Sequence, residues 1–107
     1  MSESGMRGKV IRDLKEIDAF AVENPIYPGT PDVNYVGGWI ELKWLRRWPK
    51  HKETIVEIAH YSPQQKLWIR RRTLAGGKCF LLLQCKRDWL LFTHPTTMEV
   101  GKLTKDQ

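Results

Sequence analysis

The spacing of apolar residues along the chain alternates between a helical and a strand-like period. Between residues 3 and 19, apolar side chains recur every three or four positions, which predicts an amphipathic helix capped by Ser2 or Ser4. Its apolar face consists of Met6, Val10, Leu14 and Ile17. The next segment, FAVENPIYPGTP, carries three prolines that exclude a helix, so we expect a short strand and a turn-rich approach.

The middle of the chain predicts a β-hairpin followed by a second helix. DVNYV and WIELKWL are strand-like segments separated by Gly37 and Gly38, a pair that can supply the positive φ angles of a tight turn. Residues 46–61 form an irregular basic segment. SPQQKLWIRRRTLAGG then predicts a helix with Ser62 at its N-cap, Pro63 at its first position and a glycine pair at its end.

The last third of the chain predicts two more strands. KCFLLLQCK has the composition of an interior strand, and DWLLFT of its hairpin partner across Arg87 and Asp88, followed by a short helical or frayed tail. The order α, β, β, β, α, β, β predicts an α/β fold with a mixed sheet flanked by helices. A chain of 107 residues has the size of one domain, residues 1–107.

Composition and charge restrict the class of protein. Eighteen basic and twelve acidic residues give a formal charge of +6, which favours an anionic partner. No apolar run reaches the roughly 20 residues of a membrane span, and the N-terminus lacks the apolar core of a signal peptide. We therefore expect a soluble cytoplasmic protein with no membrane partner.

The two cysteines lie in one strand-like segment. Cys79 and Cys85 fall on the same strand face, about 20 Å apart at roughly 3.3 Å per residue, which is too far for a disulfide. No histidine or further cysteine stands near them at metal-ligand spacing, so we expect buried free thiols.

Three ionisable residues interrupt the apolar hairpin. Glu41 and Lys43 alternate with apolar residues and therefore project to one face, and the hairpin can bring Asp32 alongside them. A buried unpaired charge is costly, so these acids need compensation. Two carboxylates beside an ammonium outline a Mg²⁺ site. The alternative is a surface ion pair of Glu41 and Lys43, with Asp32 capping a turn.

The motifs occur in a recognisable order. PD, ExK, SPQQKLW and AGG before a hydrophobic strand resemble the VRR-NUC branch of the PD-(D/E)xK nuclease superfamily, in which G-x-PD, E-x-K and S-x-x-Q-x-x-W follow one another. The likeness covers residues 29–83. It implies an αβββαβ restriction-endonuclease-like core with an extra C-terminal strand. Members are metal-dependent, structure-selective DNA endonucleases, and short stand-alone members, often from phages or mobile elements, resemble Holliday junction resolvases acting as homodimers.

The resemblance also implies roles for individual residues. The implied ligands of Mg²⁺, for which Mn²⁺ would substitute, are Asp32, Glu41 and the backbone carbonyl of Leu42. Lys43 would orient or polarise the attacking water, or stabilise charge on the phosphate. Gln65 rather than Gln64 aligns with the motif glutamine, because Ser62 and Trp68 each lie three residues from it.

The family also places a glutamate early in the first helix, and Glu3 is the candidate for a further metal ligand. It shares a helical face with Met6 and Val10, whereas Glu16 points away. The alternative is a frayed, solvated Glu3 near the chain terminus.

Basic residues after the ExK strand and on the second helix are predicted to bind DNA. They are Arg46, Arg47, Lys50, Lys52 and Arg71. Trp48 between basic residues suits a loop that grips phosphate backbones, and the alternative is a solvated loop with Trp48 packed on a neighbour or on a dimer partner. His60 and His94 are lone histidines, for which a general-base role is possible but not required.

The leading hypothesis is therefore a Mg²⁺-dependent, structure-selective endonuclease acting on branched or duplex DNA. A Holliday junction resolvase, working as a homodimer, is its most specific form. If the protein is encoded by a phage, it would act in the cytoplasm of the host cell. The alternatives are a non-catalytic nucleic-acid-binding module on a nuclease scaffold and a small nicking endonuclease that reads sequence.

Overall fold

The computed structural model describes residues 3–24 and 26–105, without the side chain of Glu3. In chain order the regular elements are α1 (Glu3–Asp13), β1 (Phe20–Ala21), β2 (Val33–Tyr35), β3 (Gly38–Leu45), α2 (Pro63–Leu74), β4 (Lys78–Cys85) and β5 (Asp88–Phe92). Two short 3₁₀ helices cover Lys15–Ile17 and Thr96–Met98. The predicted succession of helices and strands is confirmed.

The strands of the described residues form one sheet in the order β1-β2-β3-β4-β5. Neighbouring strands are antiparallel, except that β3 and β4 run parallel over eight residue pairs, from Gly38↔Lys78 to Leu45↔Cys85. A parallel pair needs a long connection, and here residues 46–77, including α2, supply it. The predicted α/β fold with a mixed sheet and two helices is confirmed.

The two helices cover opposite faces of the sheet because side chains alternate along β3. Ile40 and Leu42 belong to an apolar cluster with Met6 and Val10 of α1. On the other face Trp39 packs edge to face on Trp68 of α2, with ring centroids 5.2 Å apart. Glu41 and Lys43 share the face of Trp39, so they point toward the α2 side of the sheet.

The first helix is shorter than its apolar spacing predicts. It ends at Asp13, and the chain turns through a 3₁₀ segment to Asp18, which adopts the left-handed conformation with φ 58°. Ile17 therefore leaves the helical face and is 38% exposed. Ser4 lies inside α1 rather than at its cap, and Ser2 is outside the described residues.

Both hairpin turns differ by one residue from the prediction. The β2–β3 turn consists of Val36 and Gly37, and neither Gly37 nor Gly38 has a left-handed φ. Gly38 is required for a different reason, since a Cβ there would overlap the carbonyl of Lys78 on β4. The β4–β5 turn consists of Lys86 and Arg87 rather than Arg87 and Asp88, and Lys86 takes φ 55°.

The second helix begins and ends as predicted. Ser62 accepts a hydrogen bond from the backbone N–H of Gln65, Pro63 is the first helical residue, and Gly76 follows the helix with φ 101°. Cys79 and Cys85 are buried free thiols, as expected. Within the described part of the chain, no helix combines the length and the apolar character that crossing a membrane requires.

Candidate functional site

Asp32 immediately precedes β2 and binds the backbone of β3. The last β2–β3 pair is Val33↔Ile40, so the same antiparallel register places Asp32 next to Glu41. Asp32 Oδ2 accepts a hydrogen bond of 2.8 Å from the N–H of Leu42. The N–H and C=O of one strand residue point to the same edge, so the Leu42 carbonyl also faces this side. The structure thus brings together Asp32, Glu41 and the Leu42 backbone.

Glu41 is an almost completely buried acid, with 1% of its surface exposed. Its Oε2 lies 3.5 Å from the Lys43 ammonium, while its buried Oε1 has no hydrogen-bond partner among the described residues. Burial raises the pKa of Glu41 to about 9, and the Asp32 carboxylate acts in the same direction, both as a hydrogen-bond acceptor for the protonated acid and through its charge. The opposing effect of Lys43 is smaller. Without a further cation, Glu41 therefore holds a proton in the folded protein over most of the physiological pH range.

Lys43 is held by the start of α2 and not by solvent. It is 4% exposed, and its Nζ donates to the carbonyl of His60 at 2.9 Å and to Gln65 Oε1 at 3.2 Å. The ammonium also lies 5.5 Å from the centre of the Tyr61 ring. These contacts fix the position of the amine beside Glu41.

Gln65 links the helix cap to the lysine. Its Oε1 accepts from the N–H of Ser62 at 2.9 Å as well as from Lys43. Together with the Ser62 side chain this forms a capping box, so the helix start and the lysine share one acceptor. Gln64 is exposed, and the structure places Gln65 at the position that the motif alignment favours.

The G-x-P-D segment packs directly on the N-terminus of α2. Gly29 has φ 88°, and a Cβ on it would overlap the carbonyl of Gln64 and crowd the N–H of Gln65. The turn that delivers Asp32 therefore lies against the helix start that holds Lys43. The order of the motifs does not predict this contact. The glycine at position 29 is the one sequence feature that indicates a close approach of the backbone there.

A cleft of about 290 Å³ opens beside this cluster and is lined by Ser4, Arg7, Asp32 and Leu42. Two of these residues come from α1, so the cleft lies between the start of α1 and β3. Glu41 is not among the described residues that line the cleft. Sequence reasoning missed Arg7, because nothing in the spacing of α1 relates it to the hairpin.

The described side chains contribute two acids, not three, to the candidate metal site. Glu3 is the first residue of α1, but its side chain is outside what the structure describes, so the convergence of three acids stays a prediction. No group of three His, Cys, Asp or Glu side chains able to hold a metal occurs among the described residues. Two carboxylates with a backbone carbonyl are still oxygen donors of the kind that Mg²⁺ prefers. Glu41 Oε1 accepts no hydrogen bond from the described residues and is therefore available as a ligand to such an ion.

The five basic residues predicted to bind DNA are all exposed; they are Arg46, Arg47, Lys50, Lys52 and Arg71. Arg46 and Arg47 follow the C-terminal end of β3, whereas Arg71 lies in the last turn of α2, which leads to the opposite end of that strand. Eight strand residues at roughly 3.3 Å each separate these ends by about 25 Å. The basic groups flank the acid pair instead of forming one patch.

Trp48 packs within the protein, which is the alternative considered for this loop. Its indole N–H donates to Asp88 Oδ2 at 2.7 Å, and Lys105 Nζ lies 5.3 Å from the ring centre. His60 contributes a backbone carbonyl to the site from a left-handed conformation with φ 63°, while its side chain is exposed. His94 is half-buried, and its Nδ1 has no partner in the described residues.

Comparisons of the chain with models of known protein families, with curated proteins and with solved structures found no match. The likeness to the VRR-NUC branch therefore rests on the order of the motifs. The contacts among Asp32, Glu41, Lys43 and Gln65 show that residues of these motifs also meet in space. They do not identify a related protein.

Proposed function

We propose that this protein is a Mg²⁺-dependent, structure-selective DNA endonuclease of the PD-(D/E)xK type, and specifically a Holliday junction resolvase that works as a homodimer. The observation that carries the proposal is the buried Glu41 carboxyl, with one oxygen unpartnered among the described residues, beside Asp32 and 3.5 Å from an ammonium. A purely structural ion pair would need only one acid. The second acid and the adjacent cleft suit a divalent cation.

The order of elements supports this assignment. The proposal takes α1, β1, β2, β3, α2 and β4 as the αβββαβ core of these nucleases, with β5 as an additional strand. The ExK segment lies on β3 and the glutamine on the helix that follows it, as the resemblance implies.

Asp32, Glu41 and the Leu42 carbonyl are the groups that would hold Mg²⁺. When bound, the ion would supply Lewis-acid stabilisation of the phosphodiester that is hydrolysed. Asp32 is preorganised for this task because the N–H of Leu42 fixes one of its oxygens. Glu41 is excluded from water, which strengthens its interaction with any cation that reaches it.

Lys43 acts in this proposal as a fixed positive charge beside Glu41. Its contacts to the His60 carbonyl and to Gln65 prevent it from swinging into solvent, so its charge is available at one position. Mn²⁺ would substitute for Mg²⁺, because both favour carboxylate and carbonyl oxygen ligands.

The proposed partner is branched or duplex DNA. A charge of +6 attracts a polyanion, and the basic residues at both ends of β3 could contact phosphates on either side of the acid pair. Symmetric cutting of a four-way junction needs two active sites, which a two-fold homodimer supplies.

Cleavage of a four-way junction, a linear duplex and a single strand, each with Mg²⁺ or with EDTA, tests the proposal. We expect metal-dependent cutting of the junction, lost in Asp32→Asn and kept in the control Asp18→Asn. Asn at 32 retains an oxygen for the Leu42 N–H, and Asn tolerates the left-handed conformation at 18. Preference for linear DNA would refute the resolvase assignment.

Two other results of the same assay would favour the alternatives. Tight binding of junction DNA without cleavage by the wild-type protein would indicate a non-catalytic binding module. Cuts at one repeated sequence in random duplex would indicate a nicking endonuclease. A monomer in light scattering with junction DNA bound would contradict the two-fold arrangement.

A further inference from the structure

We infer that Arg7 binds the phosphate backbone at the candidate site, in competition with Glu23. The inference rests on the proposed function and adds a substrate-binding residue from α1. Its basis is the cleft of about 290 Å³, which Arg7 lines together with Asp32 and Leu42.

Lys43 is not available to a phosphate that enters this cleft. The Lys43 ammonium is 4% exposed and already donates to the His60 carbonyl and to Gln65. Asp32 lines the cleft, and its carboxylate would repel phosphate oxygens. Among the described residues that line the cleft, Arg7 is the cationic one.

The backbone of Arg7 is well placed for this role. Arg7 lies in α1 between Met6 and Val10, which are buried against β3, so core packing fixes that turn of the helix. The guanidinium is planar and presents paired donors that match two phosphate oxygens.

The ion pair that Arg7 makes with Glu23 is weak. Arg7 Nη1 lies 3.7 Å from Glu23 Oε1, which is beyond hydrogen-bond distance, and the Glu23 side chain is 86% exposed. An exposed pair of this kind contributes little and is screened by salt. A phosphodiester with two oxygens in the cleft can therefore displace Glu23.

The test compares four neutral variants on the four-way junction. Arg7→Gln should lower kcat/KM by about 10- to 100-fold, which is the usual effect of losing a hydrogen bond to a charged group. Arg12→Gln, an exposed arginine in the last turn of the same helix, should lower it no more than about threefold. Glu23→Gln should tighten junction binding by about threefold, and more than the exposed control Glu16→Gln.

Arg7→Lys keeps the charge and loses the paired donors, so it should recover part of the lost activity. Equal effects of Arg7→Gln and Arg12→Gln would overturn the inference and leave the nuclease proposal intact. Circular dichroism of Arg7→Gln establishes that the variant is folded.

A second measurement does not depend on cleavage. The phosphodiester dinucleotide TpT is added to the ¹⁵N-labelled protein, and the side-chain Nε signals of Arg7 and Arg12 are followed. A saturable shift of Arg7 alone supports the inference even if no DNA is cut, which would refute only the proposed enzyme activity. An Arg7 signal that does not move, or moves as Arg12 does, overturns the inference.

Discussion

Replacing Glu41 by glutamine should change how the stability of the protein depends on pH. The folded state raises the pKa of Glu41 to about 9, while the unfolded chain has the ordinary value of 4.5. Between these two values the folded protein holds a proton that the unfolded chain has lost. Its free energy of unfolding must therefore fall as the pH rises through this window. Glutamine carries no such proton, so this fall should disappear.

The magnitude follows from the linkage of one proton. Each pH unit inside the window costs about 1.4 kcal/mol, so the whole interval from 4.5 to about 9 has a ceiling of about 6 kcal/mol. Between pH 6 and pH 8 the wild-type protein should lose about 2.7 kcal/mol relative to Glu41→Gln. In a domain of this size such a difference corresponds to about 10 °C or more in Tm.

Urea unfolding of both proteins at pH 6, 7 and 8 in EDTA measures this difference. Glu53→Gln serves as the control, because Glu53 is an exposed residue of the basic loop. Added Mg²⁺ should flatten the wild-type slope, since a cation favours the ionised carboxyl; at 100 times its Kd it would restore about 2.7 kcal/mol. Parallel slopes for wild type and Glu41→Gln in EDTA would refute this account of Glu41.

Three further variants test the way in which the site is held together. Gly29→Ala should lower the free energy of unfolding by about 2 kcal/mol or more, because a Cβ would overlap the start of α2. The control Gly76→Ala, also at positive φ but with open space around the Cβ, should lower it by about 1 kcal/mol. Equal losses in urea unfolding would contradict the packing of Gly29 on α2. Gln65→Ala should lower the free energy of unfolding by about 1–2 kcal/mol and should also lower the rate of cleavage, while Gln64→Ala should change neither. A larger effect of Gln64→Ala than of Gln65→Ala would be inconsistent with the capping box. Trp48→Phe should lose about 1 kcal/mol with the hydrogen bond to its acceptor carboxylate and leave the Kd for junction DNA unchanged; a large loss of DNA affinity would instead assign the ring to the DNA surface.

Local signals explain why most of the fold could be predicted. The second helix carries its own start and stop, with Ser62 and Pro63 at one end and a glycine pair at the other, so its bounds follow from the sequence. The strands β3 and β4 are long apolar segments and were also recognisable. The sequence predicts too long a first helix, because the helical spacing of apolar residues continues through Ile17 although α1 ends at Asp13 and the chain turns at Asp18.

The turns show the limit of a residue-by-residue argument. Glycines at 37 and 38 suggested a tight turn with positive φ, yet Gly38 is needed because β4 approaches its backbone. A contact of this kind joins residues far apart in the chain and leaves no local pattern. The same holds for Gly29 and the start of α2.

The candidate site is predictable only where local patterns determine it. Strand alternation places Glu41 beside Lys43, and the hairpin places Asp32 next to Glu41. The burial of the pair and the capture of Lys43 by Gln65 depend on how α2 packs on the sheet. Arg7 reaches the cleft from α1, and no sequence spacing relates that helix to β3.

Calorimetric titration with Mn²⁺ tests the central claim most directly, because it measures the binding of a divalent cation without requiring the correct DNA. The account predicts uptake of Mn²⁺ by the wild-type protein and loss of that uptake in both Asp32→Asn and Glu41→Gln. Uptake that is absent from the wild type, or that persists unchanged in both variants, would contradict a metal site built on these two acids.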